Sequence, residues 1–164
     1  ARRMERRGIH PRELVLFIGL QASGKSTFYR TRLAETHELV SKDLMPNNPR
    51  PERRQRQLVE AALARGASVV VDNTNPTPEV RASLIAIGHA FGAEITGYWF
   101  DATVGACLVR NRQREGRARV PDIAIFATRK ILTPPTFAEG FDRMFRVTIA
   151  EDGAYIVEPL AGAT

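Results

Sequence analysis

The residues best suited to chemistry are Gly19-Leu20-Gln21-Ala22-Ser23-Gly24-Lys25-Ser26-Thr27, directly after the apolar run Leu14 to Ile18. Their spacing fits G-x-x-x-x-G-K-[ST]. A phosphate chain carries several negative charges, and a ring of backbone N–H groups opening into a helix N-terminus holds it without displacing any side chain. Gly19 and Gly24 let the backbone wrap that closely, and Gln21, Ala22, Ser23 and Thr27 complete the cradle. Lys25 reaches the outer phosphates as a point charge, while the Ser26 hydroxyl is placed to ligate Mg²⁺. The chemistry implied is handling of a nucleoside triphosphate, with Mg²⁺ as its counter-ion.

Two carboxylates stand where such chemistry needs them. Asp72 closes the run Ser68-Val69-Val70-Val71 and reads as a metal-side carboxylate, and Asp43 ends a shorter strand beside a loop where an acceptor enters, which makes it the candidate general base. Arg110 and Arg114 are four residues apart, so on a helix they share one face and grip one phosphate chain, with Arg112 pointing elsewhere. Guanidinium groups on a mobile lid neutralise a phosphoryl group in flight and exclude water. The chain has no H-E-x-x-H, no C-x-x-C pair, no Ser-His-Asp logic and no D-x-D-x-[TV] run, so metal hydrolase, acyl-transfer and aspartyl-phosphatase readings lack residues.

The elements that must position these groups alternate. Strands are expected at about Leu14 to Ile18, Glu38 to Ser41, Ser68 to Asp72 and Glu94 to Phe100, followed by two closing strands, Arg143 to Ile149 and Tyr155 to Val157. Helices are expected at about Lys25 to Thr36, Glu52 to Arg65, Thr103 to Arg112 and Pro121 to Leu132, and one that Thr77 caps and Pro78 opens, running to Gly88 or Phe91. Residues 44–52 hold M-P-N-N-P-R-P, a loop by its prolines and asparagines. Residues 112–119 carry too much charge to pack and read as an exposed flap. Alternation of this kind predicts an α/β domain, a parallel β-sheet flanked by helices on both faces, with ligands at the carboxyl ends of the strands.

With 164 residues and 43% hydrophobic content, the chain is long enough to bury a core as one domain, 13–164. Residues 1–12 read as a basic N-terminal arm or a cloning remnant. No apolar run is long enough to cross a membrane, and Cys107, the single cysteine, has no disulfide partner; both agree with a cytoplasmic protein. A net charge of +6, nearly all of it arginine, favours an anionic partner.

Gly19 to Thr27, Val71-Asp72-Asn73-Thr74-Asn75-Pro76, the Arg110-Asn111-Arg112 lid start, Val120-Pro121 and Pro135-Thr136-Phe137-Ala138-Glu139-Gly140-Phe141, in that order, resemble the 5'-hydroxyl polynucleotide kinase domain of polynucleotide kinase-phosphatases. The resemblance covers about residues 13–149. It implies a P-loop kinase fold with a mobile arginine-rich lid, and ATP- and Mg²⁺-dependent phosphorylation of a 5'-hydroxyl end of DNA or RNA. By motif position it implies Lys25 and Ser26 as phosphate and metal groups, Asp43 as base, Thr74 and Asn75 as acceptor-side residues, and Arg110 and Arg114 as lid arginines. Some members carry an acceptor-phosphate arginine three residues after the base. That position is Pro46 here, so the task passes to Arg53, Arg54 or Arg56. The phosphatase half is missing, so any 3'-end repair is expected of another chain, a separate phosphatase or ligase partner, or of a removed domain. Other readings of the same residues are a small-metabolite kinase acting on a nucleoside or sugar, a toxin-like kinase acting on a sugar nucleotide, and a non-catalytic nucleotide-binding regulatory module.

Overall fold

The computed structural model describes residues 12–162. Its centre is a six-stranded sheet in the order β2-β3-β1-β4-β5-β6, formed by β1 (Glu13–Gly19), β2 (His37–Val40), β3 (Ser68–Asp72), β4 (Glu94–Phe100), β5 (Arg143–Ile149) and β6 (Tyr155–Pro159). The helices are α1 (Lys25–Arg32), α2 (Pro51–Ala64), α3 (Pro78–Ala90), α4 (Val104–Arg112) and α5 (Asp122–Ile131). Central β1 pairs in parallel with β3 through Leu14↔Val69 and with β4 through Glu13↔Glu94, which brings three strand ends to one edge. The sequence predicts strands that are apolar on both faces there, and Leu14 to Ile18 and Val69 to Val71 are wholly buried.

Because side chains alternate along a strand, β1 feeds two cores. Leu14, Leu16 and Ile18 meet Val59 and Leu63 of α2 and Leu84 and Ile85 of α3. On the opposite face Val15 and Phe17 meet Phe28 of α1, with Phe100 and Val147. The pair α4 and α5 closes over the loop after β1 through Leu20, Ala22, Cys107 and Ile125. No helix among the described residues is long and apolar enough to cross a membrane.

Three expectations change. The sheet is mixed, since β6 returns antiparallel to β5 (Val147↔Val157), as a short Glu151-Asp152-Gly153 turn requires. Helix α1 stops at Arg32 instead of Thr36, because the amides of Ala34 and His37 bond back to Tyr29 and Leu33 and the chain must turn into β2. The arm expected at 1–12 loses its last residue: Arg12 donates to Leu63 O at 2.7 Å, and its own carbonyl takes the Glu94 amide at 2.8 Å, while residues 1–11 lie outside the described residues.

Candidate active site at the phosphate loop

The loop after β1 is strung between two anchors. Its first amide, Gly19 N, donates to Thr74 O at 3.1 Å, tying it to the turn after β3, and a Cβ on Gly19 would lie 2.9 Å from Phe100 Cβ of β4. At its end Gly24 sits at φ 94, in the left-handed region, and N-caps α1 without any side-chain cap. Ala22 also has positive φ, 61, a conformation that costs a non-glycine residue roughly 1 kcal/mol and is typical of loops held for function. Gln21 Nε2 donates to Thr128 Oγ1 of α5 at 2.9 Å, so this predicted nucleotide contact also braces the loop against α5.

Lys25 is 7% exposed and folds back over the loop, donating to Leu20 O at 2.6 Å and Gly19 O at 2.9 Å. Burial lowers its pKa to about 8, with the Asp72 charge pulling the other way. Asp72 at the end of β3 is 6% exposed and accepts the Ser26 hydroxyl at 2.8 Å. Burial raises its pKa, opposed by Lys25 and by that hydrogen bond. A hydroxyl and a carboxylate meeting at the mouth of a phosphate loop are a hard-oxygen donor set that fits Mg²⁺, an ion that keeps most of its waters and takes the rest of its ligands from phosphates. Ser26 and Asp72 are the residues that would hold it.

Asp43 stands on a single 3₁₀ turn, Lys42–Leu44, exposed, and close enough to Lys25 and Asp72 to favour the protonated form of each. Two residues that the motif reading passes over set that turn. Asn73 accepts the Lys42 amide at 3.0 Å through Oδ1 and donates to the buried Gln55 of α2. Asn73 is visible in the D-N-T-N-P block only as a turn residue, and Gln55 has no sequence signal beyond a polar position among the α2 arginines. Arg53 and Arg54 are exposed on α2 and Arg56 is half-buried, all beyond the base turn.

Of the predicted acceptor contacts, Asn75 is engaged in the scaffold, whereas Thr74 is half-buried and gives the scaffold only its backbone carbonyl. Thr74 holds Gly19 through its carbonyl. Asn75, 2% exposed at φ 43, donates to Phe17 O at 2.7 Å, and its own carbonyl accepts Arg81 Nε at 2.8 Å. Arg81 is wholly buried, and its guanidinium pairs with Glu139 at 2.9 Å. The two sequence blocks joined by this pair therefore brace one another.

The arginine segment also differs from its expectation. Helix α4 ends at Arg112, so Arg110 lies on it and Arg114 lies beyond it, and the shared helical face does not exist. Asn111, wholly buried, clasps Val120 twice, at 2.7 Å and 3.0 Å, and pins both ends of the segment read as the lid, 112–119. Arg114 donates to Ala118 O at 3.1 Å within that loop, yet its charge is felt at Lys25 and Asp72. Arg112 turns away toward Asp122, 4.0 Å distant. Arg110 Nη1 is buried with no hydrogen-bond partner among the described residues, and its side chain lines a cavity of about 270 Å³ with Ser23, Thr148 and Ile149. An orphaned guanidinium nitrogen beside a phosphate loop is a site for an anion.

A family model described as an AAA domain matches residues 14–135. The bifunctional polynucleotide phosphatase/kinase of Schizosaccharomyces pombe is 29% identical over 139 residues, 82% of this chain and 33% of that protein. The chain thus spans about a third of the length of this curated relative. Among solved structures, a chain of the Pnkp1/Rnl/Hen1 RNA repair complex is 25% identical with a TM-score of 0.63, over 77% of this chain and 46% of that one. A sugar kinase from a Janibacter species shares the fold at 18% identity and a TM-score of 0.62, over 84% of this chain and 85% of its own. With the family match running from β1 to the prolines after α5, the chain belongs to the AAA domain family and carries the P-loop kinase fold.

Proposed function

We propose that this P-loop kinase transfers the γ-phosphate of ATP to the 5'-hydroxyl end of a polynucleotide. The observation that carries the reading is the position of Asp43: an exposed carboxylate within electrostatic reach of Lys25 and Asp72, on a turn whose far side leads to exposed arginines. Asp43 accepts the proton of the attacking hydroxyl. Lys25, Arg110 and Arg114 neutralise the group in transfer. A bound Mg²⁺ would neutralise and orient the β- and γ-phosphates, and Ser26 and Asp72 would hold it.

The relative named as a polynucleotide phosphatase/kinase and the RNA repair complex support a nucleic-acid acceptor. The RNA repair complex also supports a protein partner in end healing, a separate phosphatase or ligase being the one proposed. Cys107, free and buried, is in keeping with a cytoplasmic setting.

The test is transfer of labelled γ-phosphate to a 5'-hydroxyl oligonucleotide, with a nucleoside and a sugar as competing acceptors. The reading expects the oligonucleotide to be preferred and its KM to rise with salt, since each neutralised phosphate of a single strand contributes a log–log slope of about −0.7 to affinity. Changing Arg53 and Arg54 together to Ala should flatten that rise. Equal use of a nucleoside or sugar would make the chain a small-metabolite kinase. ATP binding without transfer to any of the three would make it a regulatory nucleotide-binding module.

A further inference from the structure

We infer that Tyr155, at the start of β6, is a positioning residue of the donor-nucleotide site, and that the β5–β6 hairpin forms a wall which sets the last peptide of the phosphate loop. The inference rests on the reading of that loop as a nucleotide site. It concerns a segment outside every motif in the sequence.

The Tyr155 hydroxyl donates to Gly24 O at 2.7 Å across 131 positions of sequence. That carbonyl also accepts the Phe28 amide at 3.1 Å, the first intrahelical bond of α1. Since Gly24 caps α1 with no side chain of its own, Tyr155 adds from outside the loop a second hold on its peptide beside that helical bond. The hairpin approaches from two sides: a Cβ on Gly24 would lie 2.9 Å from Ile149 Cδ1 and 3.0 Å from Tyr155 Oη. Ile149 also lines the cavity with Arg110, whose Nη1 has no hydrogen-bond partner among the described residues.

The phenol is itself well held. Its ring meets Phe28 edge-on, with centroids 5.2 Å apart at 76°, and the Arg32 guanidinium lies 5.7 Å from the Tyr155 centroid and 5.1 Å from that of Phe28. Burial raises its pKa, with Arg110 and other charges opposing, so the hydroxyl keeps its proton and remains a donor at neutral pH.

A trans peptide points its C=O and N–H in opposite directions. Pinning Gly24 O toward Tyr155 therefore turns the Lys25 N–H away from the hairpin, the orientation in which it serves as a phosphate donor. Loss of the hydroxyl leaves the Phe28 amide to hold this carbonyl by itself, and the less firmly held loop then spends part of its time in a form that binds phosphate less well.

The experiment compares ADP affinity, nucleotide-free melting temperature and ATP kinetics in wild type, Tyr155→Phe and Val157→Ala. Tyr155→Phe keeps the ring and removes one hydrogen bond, so the ADP dissociation constant and the ATP KM should rise about five-fold, with kcat at saturating ATP unchanged. Its melting temperature should stay within about 4 °C of wild type. Val157, partly buried in the same cluster on β6, has no polar side-chain group that could hydrogen-bond the loop, so Val157→Ala should lower the melting temperature and leave ADP affinity alone. ADP binding by Tyr155→Phe within two-fold of wild type, or an equal loss in Val157→Ala, overturns the inference while leaving the nucleotide site standing. A wild-type protein that fails to bind ADP overturns both.

Discussion

Ser26 Oγ donates to Asp72 Oδ2 at 2.8 Å, joining the first turn of α1 to the end of β3 across the mouth of the phosphate loop. Ser26 and Asp72 are the residues that would hold a hydrated Mg²⁺ there. Changing Asp72 to Asn keeps the shape and removes the charge. The Mg²⁺ concentration for half-maximal turnover should then rise by about 10-fold to 100-fold, the usual cost of an outer carboxylate, with affinity for metal-free ADP undiminished. A Mg²⁺ titration at saturating ATP reads this, and an unchanged midpoint would remove Asp72 from the metal site.

The pKa of Lys25, lowered by burial to about 8 from the 10.5 of a free lysine, has a signed consequence. Between those values the unfolded chain binds more protons than the folded one, so nucleotide-free stability should rise as pH increases through that window. Phosphate favours the ammonium form, so ADP binding above pH 8 should take up a proton. Calorimetry in two buffers of different ionisation heat measures that uptake; it should be large near pH 8.5, small at pH 7 and absent in Lys25→Met.

For Asp43, the substitution Asp43→Asn removes basicity while keeping shape. If this residue accepts the proton of the attacking hydroxyl, kcat should fall by about 10²-fold to 10⁴-fold and ATP affinity should change little. Single-turnover transfer together with direct nucleotide binding distinguishes the two. Parallel losses in both would make Asp43 a metal-side group.

The arginines make a sharper set than their spacing implied. Arg110 Nη1 is buried and unpartnered among the described residues, whereas Arg112 faces Asp122 on the surface, so Arg110→Ala should cost about 100-fold or more in kcat and Arg112→Ala almost nothing. Arg114→Ala should fall between them, because its charge reaches the site from a loop held by Asn111 and Val120. Steady-state kinetics of the three variants would rank them, and equal losses would show that the segment acts only through its total charge.

The Arg81–Glu139 pair predicts a loss of stability instead of chemistry. Glu139→Ala leaves a wholly buried guanidinium without its counter-charge, a change that typically costs about 3–5 kcal/mol. The melting temperature should drop by about 10 °C or more. Thermal melts test this directly.

What the sequence determined by itself is whatever repeats locally or sits at fixed short spacing. The phosphate loop follows from nine consecutive residues, and the strands that carry it from unbroken apolar runs that only a doubly covered sheet can bury. The start of α3 follows from Thr77 and Pro78, whose cap and fixed φ act within one turn: the Thr77 hydroxyl does accept the Val80 amide. The strand-end place of Asp72 follows from the same alternation, whereas Asp43 stands on the 3₁₀ turn that follows β2. Tertiary packing decided the rest, because those contacts join residues with no periodic relation. Asn73 meets Gln55 across 18 positions, Arg81 meets Glu139 across 58 and Tyr155 meets Gly24 across 131. Asn75 and Arg110 show why such contacts escape a linear reading: both are polar residues in motif blocks, and only the burial of one amide against Phe17 O and the lack of a partner, among the described residues, for one buried guanidinium nitrogen separate a brace from a donor left unused.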